Sequence, residues 1–253
     1  MRIKERISIA LVILFIPWLI SCTKSKNCFT SSGELTRDTL TVSSFDSIYL
    51  NDNVTLILTQ ETGNRVVVEA GKNIISGITA EVSGGSLIIH NNNSCNWLRE
   101  YSNPVVYVSF SYYKQILYIA YKSSGDVRST NLIYNDTIEV HTWGGSGTIA
   151  LLVNCKKGTF VQHMGTVNFL IQGICDESNI FAGDYGLFDC RDLRTGYTYI
   201  KNYGTNDCYI QAKHQLIATV GSIGNIYYKA DPPPMVIIKN PQNSGQILPI
   251  PAK

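Results

Sequence analysis

Short apolar runs separated by turn residues fill the chain from Val42 onward. Typical runs are residues 54–58 (VTLIL), 66–68 (VVV), 87–89 (LII) and 105–108 (VVYV), with Gly, Asn and Asp between them. Runs rich in β-branched and aromatic residues and bounded by turn residues are typical of β-strands. No long stretch places apolar residues at the helical period of about 3.6 residues. The pattern predicts an all-β fold.

A recurring glycine adds a longer period in the second half of the chain. In most copies a small or turn-forming residue follows the glycine, and an apolar residue then starts a strand. The spacings of 22, 18, 21, 18 and 20 residues separate Gly125, Gly147, Gly165, Gly186, Gly204 and Gly224. Glycine suits a tight corner because it tolerates positive φ. Such repeats predict a β-solenoid, whose coils bury their apolar sides against their neighbours. An antiparallel sandwich or barrel is the alternative.

The N-terminus has the features of a secretion signal. Arg2, Lys4 and Arg6 precede an apolar run over residues 7–20, which is shorter than the roughly 20 residues of a membrane-spanning helix. The run ends in Leu-Ile-Ser-Cys22, which resembles a lipobox. We therefore predict a lipoprotein signal peptide over residues 1–21, a tether over 22–32 anchored by lipidated Cys22, and one β-helix domain over 33–253. An ordinary signal peptide with a chance cysteine is the alternative.

The charge balance argues against nucleic acid as a partner. The chain has 21 Lys and Arg against 19 Asp and Glu, and the leader holds three of the basic residues and one acidic residue. Its removal leaves 18 of each, so the mature chain is formally neutral. Nucleic-acid binders need a basic surface, and no Lys/Arg cluster is present in the sequence. The expected partners are the membrane, through the lipid anchor, and a glycan or surface protein.

Six cysteines remain after Cys22. Cys28 and Cys95 lie in irregular segments near the expected N-terminal end, and we predict a disulfide between them. Cys155, Cys175, Cys190 and Cys208 lie within the repeats. Cys190 and Cys208 each follow a repeat glycine by four residues, which predicts the same position in neighbouring coils. Export permits disulfides, but buried free thiols are the favoured reading of these repeats.

Four segments resemble a known family. They are residues 45–48 (FDSI), 123–127 (SSGDV), 144–149 (GGSGTI) and 221–228 (GSIGNIYY), and they resemble the auto-transporter adhesin, head GIN domain family, which is found mainly in Bacteroidetes. The likeness extends over roughly residues 42–240. It implies a right-handed parallel β-helix, similar in shape to pectin lyases, with Gly-Ser-Gly turns and a role in cell adhesion. The Gly-Ser-Gly pattern is lost at residues 164–165 and 203–204.

No constellation of residues predicts catalysis, a metal site or a cofactor. The nearest candidate is the acidic group Asp184, Asp189 and Asp192, with two arginines close by. Two carboxyl groups about 5 to 9.5 Å apart could cleave a glycosidic bond, but acids in solenoid turns are more often solvated corner residues. The four histidines are scattered and fall at different phases of the repeat. We therefore expect a non-enzymatic protein, with a carbohydrate-active lyase or hydrolase and a purely structural envelope protein as alternatives.

Tyrosine is the feature that best predicts binding. The chain has 15 tyrosines, and tyrosine combines a large apolar ring with a polar tip. We predict an aromatic binding face containing Tyr107, Tyr112, Tyr118, Tyr197 and Tyr199. The alternative is that tyrosine merely suits half-buried strands. Self-association stays open.

The expected location is the outer membrane. The residues after Cys22 are Thr-Lys-Ser-Lys, without the acidic stretch that resembles a surface-export signal in these bacteria. This favours the periplasmic face, and the cell surface is the alternative.

Overall fold

The structure is a computed structural model that describes residues 31–94, 103–112, 116–229, 235–239 and 244–250. The predicted signal peptide, the lipidation site Cys22 and the predicted pair Cys28 and Cys95 lie outside these residues. In the part that is described, no helix is long and apolar enough to cross a membrane.

The described residues form eighteen strands and one short 3₁₀ turn over Ile75–Gly77. The first nine strands are β1 (Leu35–Leu40), β2 (Ser47–Asp52), β3 (Thr55–Gln60), β4 (Arg65–Gly71), β5 (Ile78–Ser83), β6 (Ser86–Asn91), β7 (Val105–Phe110), β8 (Ile116–Ser123) and β9 (Val127–Ser129). The other nine are β10 (Ile133–Trp143), β11 (Thr148–Met164), β12 (Asn168–Ala182), β13 (Phe188–Asn202), β14 (Cys208–Gln211), β15 (Gln215–Val220), β16 (Ile226–Lys229), β17 (Met235–Lys239) and β18 (Ile247–Ile250).

The long strands β11, β12 and β13 bend so that each contributes to two parallel sheets. Residues 148–155 of β11 pair with 168–175 of β12, whereas residues 157–162 pair with 177–182. We name the sheet that contains residues 148–155 sheet 1, and the sheet that contains residues 157–162 sheet 2. Stacked in this way, the strands form a β-solenoid of about six turns, which confirms the predicted fold class.

Both sheets continue along the solenoid axis beyond the long strands. Sheet 1 passes through β9, β3 and β7 in one direction and through β14, β16 and β18 in the other. Sheet 2 passes from β11 to β10, β8 and β2 in one direction. In the other direction it passes through β12 and β13 to β15 and β17.

The N-terminal end departs from the parallel pattern. In sheet 1, β7 pairs antiparallel with β4, and β4 pairs antiparallel with β1. In sheet 2, β6 pairs with β2 in parallel and with β5 antiparallel. The glycine period of the second half carries no information about this end, so the sequence did not predict the antiparallel strands.

The core fills the space between the sheets with equivalent side chains stacked from coil to coil. Within β11 the inward residues from Ile149 to Phe160 are apolar and most of their neighbours are exposed or half-buried, as the pleat requires. Phe169 and Phe188 are register partners with ring centroids 4.4 Å apart and planes 8° from parallel. Such stacking adds about 0.5–1.5 kcal/mol beyond the burial of apolar area.

The corner glycines meet two different needs. Gly147 has a φ of 97°, a conformation that costs other residues energy, as the sequence predicted. Gly204 does not have a positive φ, but a Cβ there would overlap the carbonyl oxygen of Asp184 in the preceding coil. Close approach of backbones therefore explains the second glycine.

Buried amide side chains join the corners of successive coils. Gln162 Oε1 accepts a hydrogen bond from the backbone amide of Gly186 (3.1 Å), and its Nε2 donates to the carbonyl of Val167 (3.0 Å). Asn202 is fully buried and bonds the next coil in the same way, since its Nδ2 donates to the carbonyl of Asn225 (3.2 Å). Because Gly186 and Val167 are buried, the bonds from Gln162 satisfy backbone groups that would otherwise be costly to bury.

The repeat cysteines form one disulfide and two free thiols. Cys155 and Cys175 are register partners with Cα atoms 4.7 Å apart and are disulfide-bonded. Cys208 stacks on Phe188, so the prediction that Cys190 and Cys208 occupy equivalent positions was wrong. Cys208 follows its glycine by four residues, whereas Phe188 follows Gly186 by two. Both Cys190 and Cys208 are free and buried, and burial raises the pKa of each thiol.

Replacing both Cys155 and Cys175 by alanine should lower the free energy of unfolding by about 3 kcal/mol, because the disulfide closes a loop of about 20 residues in the unfolded chain. Urea unfolding of the unlipidated mature chain (residues 22–253 with Cys22→Ser) measures the loss. Cys208→Ala is the control for removal of a buried sulfur alone, and it should cost less. Peptide mapping that finds free thiols at Cys155 and Cys175 would contradict the assignment.

Candidate functional site

The outer side of sheet 2 carries aromatic or histidine residues from five neighbouring strands and from the corner that follows a sixth. Alternation along each strand sends these side chains outward while their neighbours enter the core. We name this set the aromatic stripe; it consists of Tyr49 on β2, Tyr118 on β8, His141 and Trp143 on β10, His163 on β11, Phe181 on β12 and Tyr203 directly after β13.

Ring contacts run along the whole stripe. The Tyr49 and Tyr118 centroids are 6.0 Å apart, and those of Tyr118 and His141 are 5.4 Å apart. At the other end, Phe181 is 6.3 Å from His163 and 5.9 Å from Tyr203. With about 4.8 Å between strands, the six strands give the stripe a length of about 24 Å.

Three nearly parallel rings form the centre of the stripe. Trp143 and His163 stack with centroids 4.9 Å apart and planes 16° from parallel, and His141 lies 5.4 Å from Trp143 at 17°. Trp143 is still 39% exposed, as is Tyr203 at 44%. The stripe is therefore a surface that a ligand could contact, not the outer layer of the core.

Partial burial affects the charge state of His141 at the centre of the stripe. His141 Nδ1 lies 3.4 Å from His163 Nε2, and His141 Nε2 lies 3.9 Å from the Glu139 carboxylate. Partial burial lowers the pKa of His141, Glu139 opposes that shift, and His163 adds to it. Burial, followed by the nearby Tyr49 and Glu139, raises the pKa of Tyr118. The uncharged imidazole is thus the favoured state of His141 at neutral pH.

A shallow recess of about 290 Å³ adjoins the stripe where β11, β12, β13 and β15 lie side by side. Its outward-facing lining includes Val161, Asn179, Phe181, Tyr199, Lys201 and Ile217. Phe181 belongs to both the recess and the stripe. The recess therefore extends the aromatic surface with an amide and an ammonium group.

The structure divides the predicted tyrosine face. Tyr118 is part of the stripe, Tyr199 lines the recess, and Tyr197 lies on the same strand with its ring 5.6 Å from that of His214. These three share the outer side of sheet 2. One face containing all five predicted tyrosines does not exist.

The other two predicted tyrosines lie in sheet 1 and beside it. Tyr107 on β7 donates a hydrogen bond to Glu69 (3.3 Å), and the Arg37 guanidinium lies 5.7 Å from its ring centroid. Tyr112 is exposed and lines a separate, more open recess with Tyr134. Residues 113–115, which follow Tyr112 in the sequence, lie outside the described residues. We assign this second recess no role.

The sequence analysis missed the centre of the stripe. It placed the histidines at different phases of the repeat, and His141 indeed pairs with Val161, but it did not expect His141 and His163 to meet as diagonal neighbours with ring centroids 5.6 Å apart. The signal was present: an outward aromatic or histidine residue recurs at Tyr118, His141, His163, Phe181 and Tyr203, at intervals of 18 to 23 residues. That interval matches the glycine period.

Each of the acidic candidates bonds to another group of the protein. Asp184 accepts a hydrogen bond from the backbone amide of Gly165 (2.7 Å) at a corner. Asp189 pairs with Arg191 (2.7 Å), and Asp192 pairs with Lys229 (3.1 Å). Among the described residues no group of three or more His, Cys, Asp or Glu could hold a metal ion. Each of the three carboxylates therefore has a hydrogen-bond or ion-pair partner.

The fold and the stripe define a β-solenoid with an aromatic outer sheet. The model of the family described as "Putative auto-transporter adhesin, head GIN domain" matches residues 44–232. The chain belongs to this family. No curated protein sequence matches it significantly.

Solved structures share the fold at low sequence identity. A protein from Bacteroides fragilis NCTC 9343, described as a putative adhesin, superposes with a TM-score of 0.73 at 19% identity, covering 86% of this chain and 97% of that one. A protein from Parabacteroides distasonis ATCC 8503, described as a putative lipid binding protein, gives 0.65 at 15% identity, with 87% and 98% covered. A putative adhesin from Parabacteroides merdae ATCC 43184 gives 0.58 at 13%, again with 87% and 98% covered.

Acidification should destabilise the wild-type chain more than a His141→Phe variant. The pKa of His141 is lowered in the folded state, so the unfolded chain takes up a proton more readily. The stabilisation from neutral His141 is present above the unfolded pKa, near 6.5, and is lost as the pH falls. Urea unfolding at pH 7.5 and pH 5 measures it, and equal losses in both chains would contradict the assignment.

Proposed function

We propose that the chain is a non-enzymatic cell-envelope lipoprotein that binds an extended glycan or protein ligand through the aromatic stripe. The observation that carries the proposal is the unbroken line of ring contacts from Tyr49 on β2 to Tyr203 after β13. Apart from His141 and Trp143, the rings in this line come from different coils. A regular surface of this length suits a ligand that is itself extended.

The exposure of the rings supports a binding role. Large aromatic side chains supply much of the binding energy in interfaces, and exposed contiguous apolar patches commonly mark interaction sites. Tyr49, Trp143 and Tyr203 are all exposed and could be covered together by one ligand. The ring faces and edges offer contacts both to sugar C–H groups and to apolar side chains of a protein.

The family supports the adhesive reading, and the acids do not support an enzyme. Adhesins act at the cell envelope, which agrees with an anchor at Cys22. Each acidic candidate has a bonding partner: a backbone amide for Asp184, an arginine for Asp189 and a lysine for Asp192. A purely structural protein would have no need to expose a large aromatic side chain such as Trp143 within a line of contacting rings.

A glycan array tests the proposal. The unlipidated mature chain should bind specific glycans, and Trp143→Ala combined with Tyr203→Ala should reduce that binding at least tenfold, since each ring contributes about 1 kcal/mol or more. Tyr185→Ala is the matched control, because Tyr185 is 58% exposed and is not part of the stripe. The same glycans are then incubated with the protein and analysed for cleavage.

Three outcomes would contradict the proposal. Cleavage of a bound glycan would make the chain an enzyme, and Asp184, Asp189 and Asp192 would be substituted first. Unchanged glycan binding by the doubly substituted variant would show that the binding site lies outside the stripe. If no glycan binds, the same variants are compared for adhesion to protein-coated surfaces, and unchanged adhesion would reject the stripe.

Cys22 should carry the lipid that holds the chain at the outer membrane. Cys22→Ser should abolish incorporation of labelled palmitate, because a multiply acylated cysteine provides the membrane affinity. Wild-type protein that never incorporates palmitate would reject the anchor. Antibody labelling of intact cells then reports the side: we expect no labelling, because Thr-Lys-Ser-Lys follows Cys22. A periplasmic position would make the ligand a component of the envelope.

A further inference from the structure

The recess beside Phe181 differs from the rest of the aromatic surface in its charge. It contains Lys201, which lies next to Tyr199 and Phe181 in the lining. We propose that this recess is the anchoring subsite of the binding surface and accepts an acidic sugar residue, whose carboxylate pairs with Lys201. This inference rests on the proposed function, and it names the chemical class of the ligand.

The ammonium group of Lys201 is available for an anion. Among the described residues it has no ion pair or hydrogen bond, whereas Lys156 pairs with Asp136 (3.2 Å) and Lys229 with Asp192 (3.1 Å). The described lining of the recess contains no carboxylate. A carboxylate bound there would therefore gain a charge-assisted contact without displacing an existing partner.

The apolar part of the lining suits the C–H face of a sugar ring. Phe181 on β12 and Ile217 on β15 are partly exposed on either side of β13, on which Tyr199 is 37% exposed. Pockets for drug-sized ligands run from about 300 to 1,000 Å³. The recess, at about 290 Å³, is the size for one small ring unit. A longer chain would continue along the stripe.

Asn179 adds capacity for hydroxyl groups. Its Nδ2 donates a hydrogen bond to Glu177 Oε1 (2.9 Å), which fixes the orientation of the amide. Among the described residues Oδ1 has no partner, so it can accept a hydrogen bond from a sugar hydroxyl. An apolar wall, an oriented amide and an unpaired ammonium group together match a sugar acid better than a neutral sugar.

Matched sugar pairs test the proposal. Isothermal titration calorimetry on the unlipidated mature chain compares trigalacturonic acid with α-1,4-linked trigalactose, and 3′-sialyllactose with lactose. We expect at least one acid to bind tenfold or more tightly than its neutral partner. Raising the NaCl concentration should weaken that binding, because salt screens an exposed ion pair.

Substitutions of lysine then test whether the carboxylate of the bound sugar pairs with Lys201. Lys201→Met should weaken the affinity for the acidic sugar at least tenfold, and Lys201→Arg should retain most of that affinity. Lys122→Met is the matched control, because Lys122 is also exposed on the outer side of sheet 2 but lies on β8, far along the axis. Lys201 is exposed, so its variant should unfold in urea at the wild-type concentration.

The remaining outcomes overturn the inference in different ways. Equal binding of acids and neutral sugars, sensitive to Trp143→Ala but not to Lys201→Met, would reject the acidic subsite and leave the stripe as a binding surface. Binding of hexaglutamate through Lys201, without binding of either sugar acid, would assign the subsite to acidic peptide. No binding by any sugar would reject the inference, and the adhesion assay with protein ligands would then decide the proposed function separately.

Discussion

The structure depends on parallel hydrogen bonding that holds successive coils in register. Because neighbouring strands lie about 4.8 Å apart, residues at equivalent positions touch even when about 20 residues separate them in sequence. The same register brings Phe169 against Phe188 in the core and Cys155 against Cys175 at a corner. On the outer side of sheet 2 the aromatic residues of successive strands lie two positions out of register, and their large rings meet diagonally. His141, for example, pairs with Val161 but its ring contacts that of His163.

The corners maintain this register with two different devices. Glycines allow backbones of adjacent coils to approach, as Gly204 does against Asp184. Gln162 and Asn202 bond backbone groups of their own corner and of the next coil. Their counterpart Thr142 is buried and its hydroxyl has no hydrogen-bond partner among the described residues. Rigid corners fix the outward positions of the rings, and a prearranged surface loses less entropy on binding.

The sequence predicted the all-β solenoid because strand propensity and glycine spacing are local signals. It did not predict the antiparallel N-terminal strands, where the period is absent. It misplaced Cys208, because the turn after Gly204 has two more residues than the turn after Gly186 and glycine spacing does not reveal turn length. It did not predict the contact between His141 and His163, because these residues are two positions out of register and meet only through the size of their rings. Tyr118 and Tyr199 were identified from composition, but the stripe required the register.

Disulfide cross-linking across sheet 2 tests most directly whether outward side chains of successive coils align. Thr159 and Asn179 are register partners on β11 and β12, whereas Thr159 and Phe181 are two positions out of register. The account predicts that Thr159→Cys with Asn179→Cys forms a cross-link under mild oxidation, and that Thr159→Cys with Phe181→Cys does not, since a disulfide needs Cα atoms within about 7 Å. Preferential cross-linking of the second pair, mapped by mass spectrometry, would contradict the register and with it the stripe.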